Sequence, residues 1–154
     1  MQKQIKSNCG IYILEIFVPE ILSLGIQKFK KLEIDSGYYY YVGSAQKNLK
    51  HRIKRHLRKD KIIHWHIDHL TVHKQNQIST IFIFENEAKL FECGLVNEIE
   101  NHYKLVPPLK GFGSSDCTNC KSHLLYSKNK IDHSHLFSRY QSIVRFIPSS
   151  SETS

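Results

Sequence analysis

GYYYYVGSA, residues 37–45, sets four tyrosines in a row between two glycines. Side chains alternate along a strand, so Tyr39, Tyr41 and Gly43 share one face while Tyr38, Tyr40 and Val42 share the other. Rings on both faces predict a strand covered on both sides. Working outward, GIYILEIFV at 10–18 is rich in β-branched and aromatic residues and predicts a strand opened by a glycine. ISTIFIFE at 78–85 predicts a third.

Helical signals separate these runs. Asn48 is placed to cap NLKHRIKRHLRK, where Leu49, Ile53 and Leu57 recur every four residues as one narrow apolar stripe. HWHIDHLTVH (64–73) predicts a second, shorter helix, and AKLFECGLVNEIENHY (88–103) a third. Residues 26–34 alternate weakly, DSG at 35–37 is a turn, and 134–147 hold an apolar pattern that fits either helix or strand. The closing SSSETS predicts a disordered end. The order strand, strand, helix, helix, strand, helix predicts an α+β fold in which a small sheet packs against helices.

The chain has 154 residues, enough for one domain with a tail; the boundaries predicted are 1–127 for the domain and 128–154 for a C-terminal extension. No apolar run approaches the roughly 18 residues of a spanning helix, and IYILEIFV is short and carries a glutamate, so the reading is a cytoplasmic protein with reduced thiols. The net charge of +8 calls for an anionic partner. Between Gln46 and Lys61 there are eight Lys or Arg against one acid, Asp60, so one helix and its exit carry +7. A run of this kind is commonly a solvated face. Here compensating acids at i+4 are almost absent, which points to phosphates as the relief. The apolar stripe is needed for the core, and that argues against a membrane surface.

Within the basic helix Arg52 and His56 are i, i+4 neighbours at the stripe's margin, an oriented pair beside the sheet. A margin arginine can simply pack its methylenes, or it can grip a phosphate bidentately. Lys50, Lys54 and Arg58 point outward, and Lys47, Arg55 and Lys59 complete the predicted nucleic-acid surface. On the later helix, 100° per residue from Phe91 puts Leu95 near 40°, Ile99 near 80° and Val96 near 140°, with Glu92 in the stripe near 100°. A carboxylate on a buried face is paired, protonated or metal-bound. One reading pairs Glu92 with Arg or Lys; the other gives it to Mg²⁺, which is often held by one carboxylate plus phosphates and waters.

Gly10-Ile11-Tyr12 and Tyr41-Val42-Gly43 resemble the two halves of the GIY-YIG nuclease motif. GxYxL, GYYxYVGSA, RxxRHLR, HWHIDxL, a Glu-Cys pair and FGSSDC…C…HL, in order over roughly 9–126, are similar to the small Uri-type endonuclease domains of that superfamily. The resemblance implies a mostly antiparallel sheet with three core strands, and a DNA endonuclease using Mg²⁺ or Mn²⁺ to hydrolyse phosphodiester bonds in repair or in unusual DNA structures. It implies catalytic roles for Tyr12, Tyr41, Arg52 and His56, with Glu92 as metal ligand and Tyr12 taking a proton from the attacking water. Gly43 is expected to leave room beside Tyr41 for a phosphate, and Tyr39 to line the groove. Where many members carry an asparagine after the glutamate helix, this chain has Ser114 and Ser115. The alternative is a catalytically silent nucleic-acid-binding module, and a weaker one a zinc-stabilised interaction domain.

Four cysteines are present: Cys9, Cys93, Cys117 and Cys120. Cys117, Cys120 and His123 spell C-x-x-C-x-x-H, three candidate ligands for a structural Zn²⁺, with Asp116, His64, His66 or Cys93 as a fourth. The same residues also suit a redox pair or a hydrogen-bonded cluster. His64 and His66 diverge on a helix, so one of them with Asp68 is expected to brace the edge of the active site or contact phosphate.

Overall fold

A computed structural model describes residues 5–26, 31–108, 112, 120 and 122–149. The aromatic strand is β4, Gly37–Ala45, and it lies next to β1, Gly10–Val18, in antiparallel register with Tyr12 opposite Gly43. On its other side β1 pairs with β5, Gln77–Glu85. Two short strands, β6 (Leu124–Ser127) and β7 (Val144–Phe146), close the edges, giving a five-stranded antiparallel sheet in the order β6-β4-β1-β5-β7. The three predicted core strands are its middle. Separately, β2 (Leu22–Gly25) pairs antiparallel with β3 (Lys31–Ile34), which forms the end of the weakly alternating stretch.

Both sheet faces are covered, and the two tyrosine sets part as period 2 requires. Tyr39 and Tyr41 join Tyr12, Leu14 and Ile16 on one face under α1, Leu49–Leu57, which contributes Leu49, Ile53 and Leu57. Leu70 of α2, Asp68–Thr71, packs there too; the predicted helix over 64–73 is a single turn preceded by a bonded loop. Tyr40 and Val42 lie on the other face with Leu95, Val96 and Ile99 of α3, Phe91–Tyr103, and Leu136 of α4, Ser134–Arg139. The ambiguous segment 134–147 is thus α4 followed by β7. The residues after 127 supply an edge strand and core side chains to the same sheet; the predicted disorder at the end falls largely on 150–154, outside the described residues.

Asn48 stands at the N-cap position of α1 in a left-handed conformation (φ 55°), and its side chain makes no capping bond. Asn8 does that work: its Oδ1 accepts the Asn48 amide and its backbone oxygen the Leu49 amide, each at 3.0 Å. The amides orphaned at a helix start donate to any well-placed oxygen, so a distant asparagine can replace the local one.

Candidate active site

Three elements meet at an open groove of about 900 Å³: β4 brings Tyr41 and Ser44, α1 brings His51, Arg52 and Arg55, and the first turn of α3 brings Glu92. Lys47, Lys89 and His123 line it as well, with His64, Trp65 and His66 from the loop before α2. Glu92 is the sole acid among those lining residues, so a single carboxylate sits in a cationic wall.

Arg52 is held by more than packing. Its Nη1 donates to the Ser44 backbone oxygen at 2.5 Å, and its guanidinium lies 4.8 Å from the Trp65 ring centre. Arg55 approaches the same indole at 4.4 Å. Trp65 therefore orients two cations at once through its π face, which is worth roughly 0.5–1 kcal/mol per contact at an exposed site. Trp65 is a site residue that the charge and motif pattern of the sequence does not single out. The sole tryptophan, set between two groove histidines, was the available signal.

Tyr12 and His56 do not line the groove but lie beneath it. Both are almost fully buried, 2% and 1% exposed, and the Tyr12 hydroxyl is 2.7 Å from His56 Nε2. Burial, reinforced by nearby Tyr41, raises the Tyr12 phenol well above its usual value, while Arg52 opposes the rise. Burial and then the Lys61 ammonium push His56 down to about 3, so its ring is neutral at physiological pH. His56 Nδ1 has no hydrogen-bond partner among the described residues. The space at Gly43 belongs to this pair: a Cβ there would stand 2.5 Å from Tyr12 Cζ, so the missing side chain admits the cross-strand phenol and not a phosphate beside Tyr41. Tyr39 does not line the groove either. Its ring packs 4.9 Å from Tyr126 and its hydroxyl donates to the Asp35 backbone oxygen at 2.7 Å.

Glu92 is buried, 7% exposed, and its Oε1 lies 3.2 Å from His123 Nδ1. His123, brought from the segment entering β6, is thus one partner of this carboxylate.

The predicted cations separate by use. Lys54 and Arg58 are exposed and line a second groove with Arg55, while Lys50 and Lys54 line a third that meets the first at Asn48 and His51. Arg55 is also internal, donating from Nη1 and Nη2 to the two carboxylate oxygens of Asp68 at 2.9 and 2.8 Å. Burial opposes ionisation of Asp68, but Arg55, the Trp65 and His64 amides and Lys61 outweigh it and hold its pKa at about 2. Asp68 thus fixes the His64–Trp65 loop at the groove's edge, as its expected bracing role requires. Lys59 is drawn inward to the carbonyls of Thr71, His73 and Asn76 at 2.7–2.8 Å, and Lys61 caps the α1 terminus through the carbonyls of Arg55 and His56. Part of the charge run is therefore relieved within the fold, because helix ends leave carbonyls that ammonium groups can satisfy.

The cysteine reading needs correction. Cys120 is joined in a disulfide to Cys93, 27 residues away, against the expectation of reduced thiols. Cys117, Asp116, Ser114 and Ser115 lie outside the described residues. The ligand atoms of Cys93, Cys120 and His123 fall within 4.8 Å of one another, so these three could hold a metal. Among the described residues no helix is long and apolar enough to cross a membrane.

No curated protein and no solved structure matches the chain. A family model does match, over residues 11–145 and so across every groove-lining element, and the chain accordingly belongs to the family described as domain of unknown function DUF123.

Proposed function

We propose that the protein is a divalent-metal-dependent DNA endonuclease of the GIY-YIG type, acting in the cytoplasm on phosphodiester bonds. The observation that carries this reading is the convergence of Tyr41, Arg52 and Glu92, from three separate elements, on one open groove with cationic walls. One buried carboxylate facing such a groove suits Mg²⁺ or Mn²⁺, whose remaining ligands would be phosphate oxygens and waters. Bound there, the ion would polarise the scissile phosphate and lower the pKa of an attacking water.

The chain's own groups then divide the work. Glu92, steadied by His123 at one oxygen, turns its carboxylate to the groove where the ion would sit. Arg52, pre-oriented by Ser44 and Trp65, binds a non-bridging phosphate oxygen and stabilises the charge that builds on it. Tyr41 is the phenol that reaches the groove and orients the water. Tyr12 and His56 are positioning residues behind it: the neutral imidazole, 2.7 Å from the phenol, fixes the Tyr12 hydroxyl beneath the groove floor. Lys47, Lys54 and Arg58 spread along the connected grooves would carry the flanking backbone phosphates.

The burial that raises Tyr12 favours a second reading, a nucleic-acid-binding module without catalysis. Purified protein incubated with plasmid, flap, branched and single-stranded DNA and Mg²⁺ or Mn²⁺ separates them, with Glu92→Ala in parallel. Cleavage of at least one substrate by the wild type and not by the variant is expected. Binding of all substrates with cleavage of none would replace the enzyme by the binding module.

A further inference from the structure

One cluster borders the groove with donors of a different kind. Glu92 and Cys93 are adjacent on the first turn of α3, yet they lead to different donors: Glu92 lines the groove, and Cys93 meets Cys120 and His123. We propose that Cys93, Cys120 and His123 form a Zn²⁺ site when the two cysteines are reduced, and that the disulfide is the form of the same site that excludes the ion.

The donor set carries the choice of metal. Two thiolates and an imidazole are soft and borderline ligands that select zinc over Mg²⁺, whereas the neighbouring carboxylate suits the harder ion. Two thiolates also neutralise the dication. A tetrahedral zinc with Zn–S near 2.3 Å spaces its ligand atoms about 3.7 Å apart. The three atoms here already lie within 4.8 Å of one another, so forming the site takes displacements of about an ångström or less at His123 and separation of the two sulfurs. His123 Nδ1 lies 3.2 Å from Glu92 Oε1, and an imidazole has two nitrogens, so one can bind a metal while the other faces the carboxylate. A carboxylate behind a ligating histidine is a common outer shell of zinc sites, where it fixes the ring and raises its basicity. The fourth position is open to water or another ligand.

Exchange between the two forms balances with a small disulfide as oxidant. One cysteine thiolate attacks the disulfide and expels a thiolate; the second cysteine attacks the mixed disulfide and expels the other. The cysteines lose two electrons, the small disulfide gains them, and zinc departs because neither sulfur retains a thiolate charge. The ion and the Cys93–Cys120 bond are alternative ways of tying α3 to the strand that carries Leu124.

Zinc content tests this apart from any cleavage assay. The full chain, reduced with a phosphine and exchanged into Zn²⁺ and then metal-free buffer, should retain about one equivalent by elemental analysis. The chain oxidised with glutathione disulfide should retain less than about a tenth of that. Cobalt substitution of the reduced wild type should give a thiolate-to-metal charge-transfer band that vanishes on oxidation, a readout that needs no variant. Cys93→Ser and His123→Ala, with helix content checked by circular dichroism, should each weaken retention at least about tenfold. Less than about a tenth of an equivalent on the reduced wild type, a cobalt spectrum without thiolate charge transfer, or equal zinc in both oxidation states would overturn the proposal, while DNA cleavage could stand or fall independently.

Discussion

Two glutamates are buried among the described residues, and they have opposite surroundings. Glu15, fully buried in the middle of β1, is sealed: Tyr40 donates to its Oε2 at 2.9 Å, Ser79 to its Oε1 at 2.8 Å, and His133 lies 2.8 Å away with Lys130 at 3.8 Å. Its hydrogen bond to Ser79 falls where the β1–β5 register slips, so the bulge supplies an extra residue to hold the charge. Glu92 is nearly as buried but faces the groove, with His123 beside it. Burial of a carboxylate is therefore no sign of chemistry by itself. Access decides, and of these two only Glu92 has it.

Breaking each in turn should give opposite outcomes. Glu15→Ala leaves His133 and Lys130 facing an empty acceptor site, and should destabilise the fold by about 3–5 kcal/mol in urea unfolding. Glu92→Ala should leave the urea midpoint close to wild type while lowering the cleavage rate about 100- to 1000-fold. A Glu92→Ala protein as unstable as Glu15→Ala would erase the distinction. Gly43→Ala lies between the two effects. Its new methyl would stand 2.5 Å from the Tyr12 ring, so it should cost roughly 1–3 kcal/mol and depress cleavage together, seen by pairing denaturation with turnover.

The pH dependence sharpens the same contrast from the histidine side. An unfolded imidazole titrates near 6.5, whereas His56 in the fold, facing Lys61, Asp68, Arg55 and Arg52, stays neutral down to about 3. Its contribution to stability is thus fully present above about pH 6.5 and is lost as pH falls from there toward about 3. Urea midpoints should decline over that window, and His56→Gln should flatten the decline; Asp68 adds a separate loss between its usual 3.8 and about 2 in both proteins. The smallest effect is at the surface. Replacing Lys50, Lys54 and Arg58 by alanine should flatten the salt slope of DNA binding by up to about 0.9 for each phosphate no longer neutralised, and an unchanged slope would move the DNA elsewhere.

The particular elements show why some of this was legible in sequence. Strands β1, β4 and β5 are nine residues each, long enough for alternation to declare itself, and α1 and α3 carry apolar stripes. Glu92 stood out because it lies within such a stripe. Strands β6 and β7 have four and three residues and exist only through their neighbours, so no local pattern could announce them. The same holds for pairings across long stretches of chain: His123 with Glu92, Asn8 with α1, Cys93 with Cys120. Composition overstated the basic surface for a related reason, since a lysine that caps a helix and one that awaits a phosphate look alike until the carbonyls are in place.

The position of Trp65 makes the groove optically addressable. It is the chain's sole tryptophan, so its emission reports one place, the lip where two guanidinium groups flank the indole. A phosphate that draws Arg52 off the ring changes the charge beside the fluorophore, so occupancy of the groove can be followed without a label, in real time and before any bond is cut.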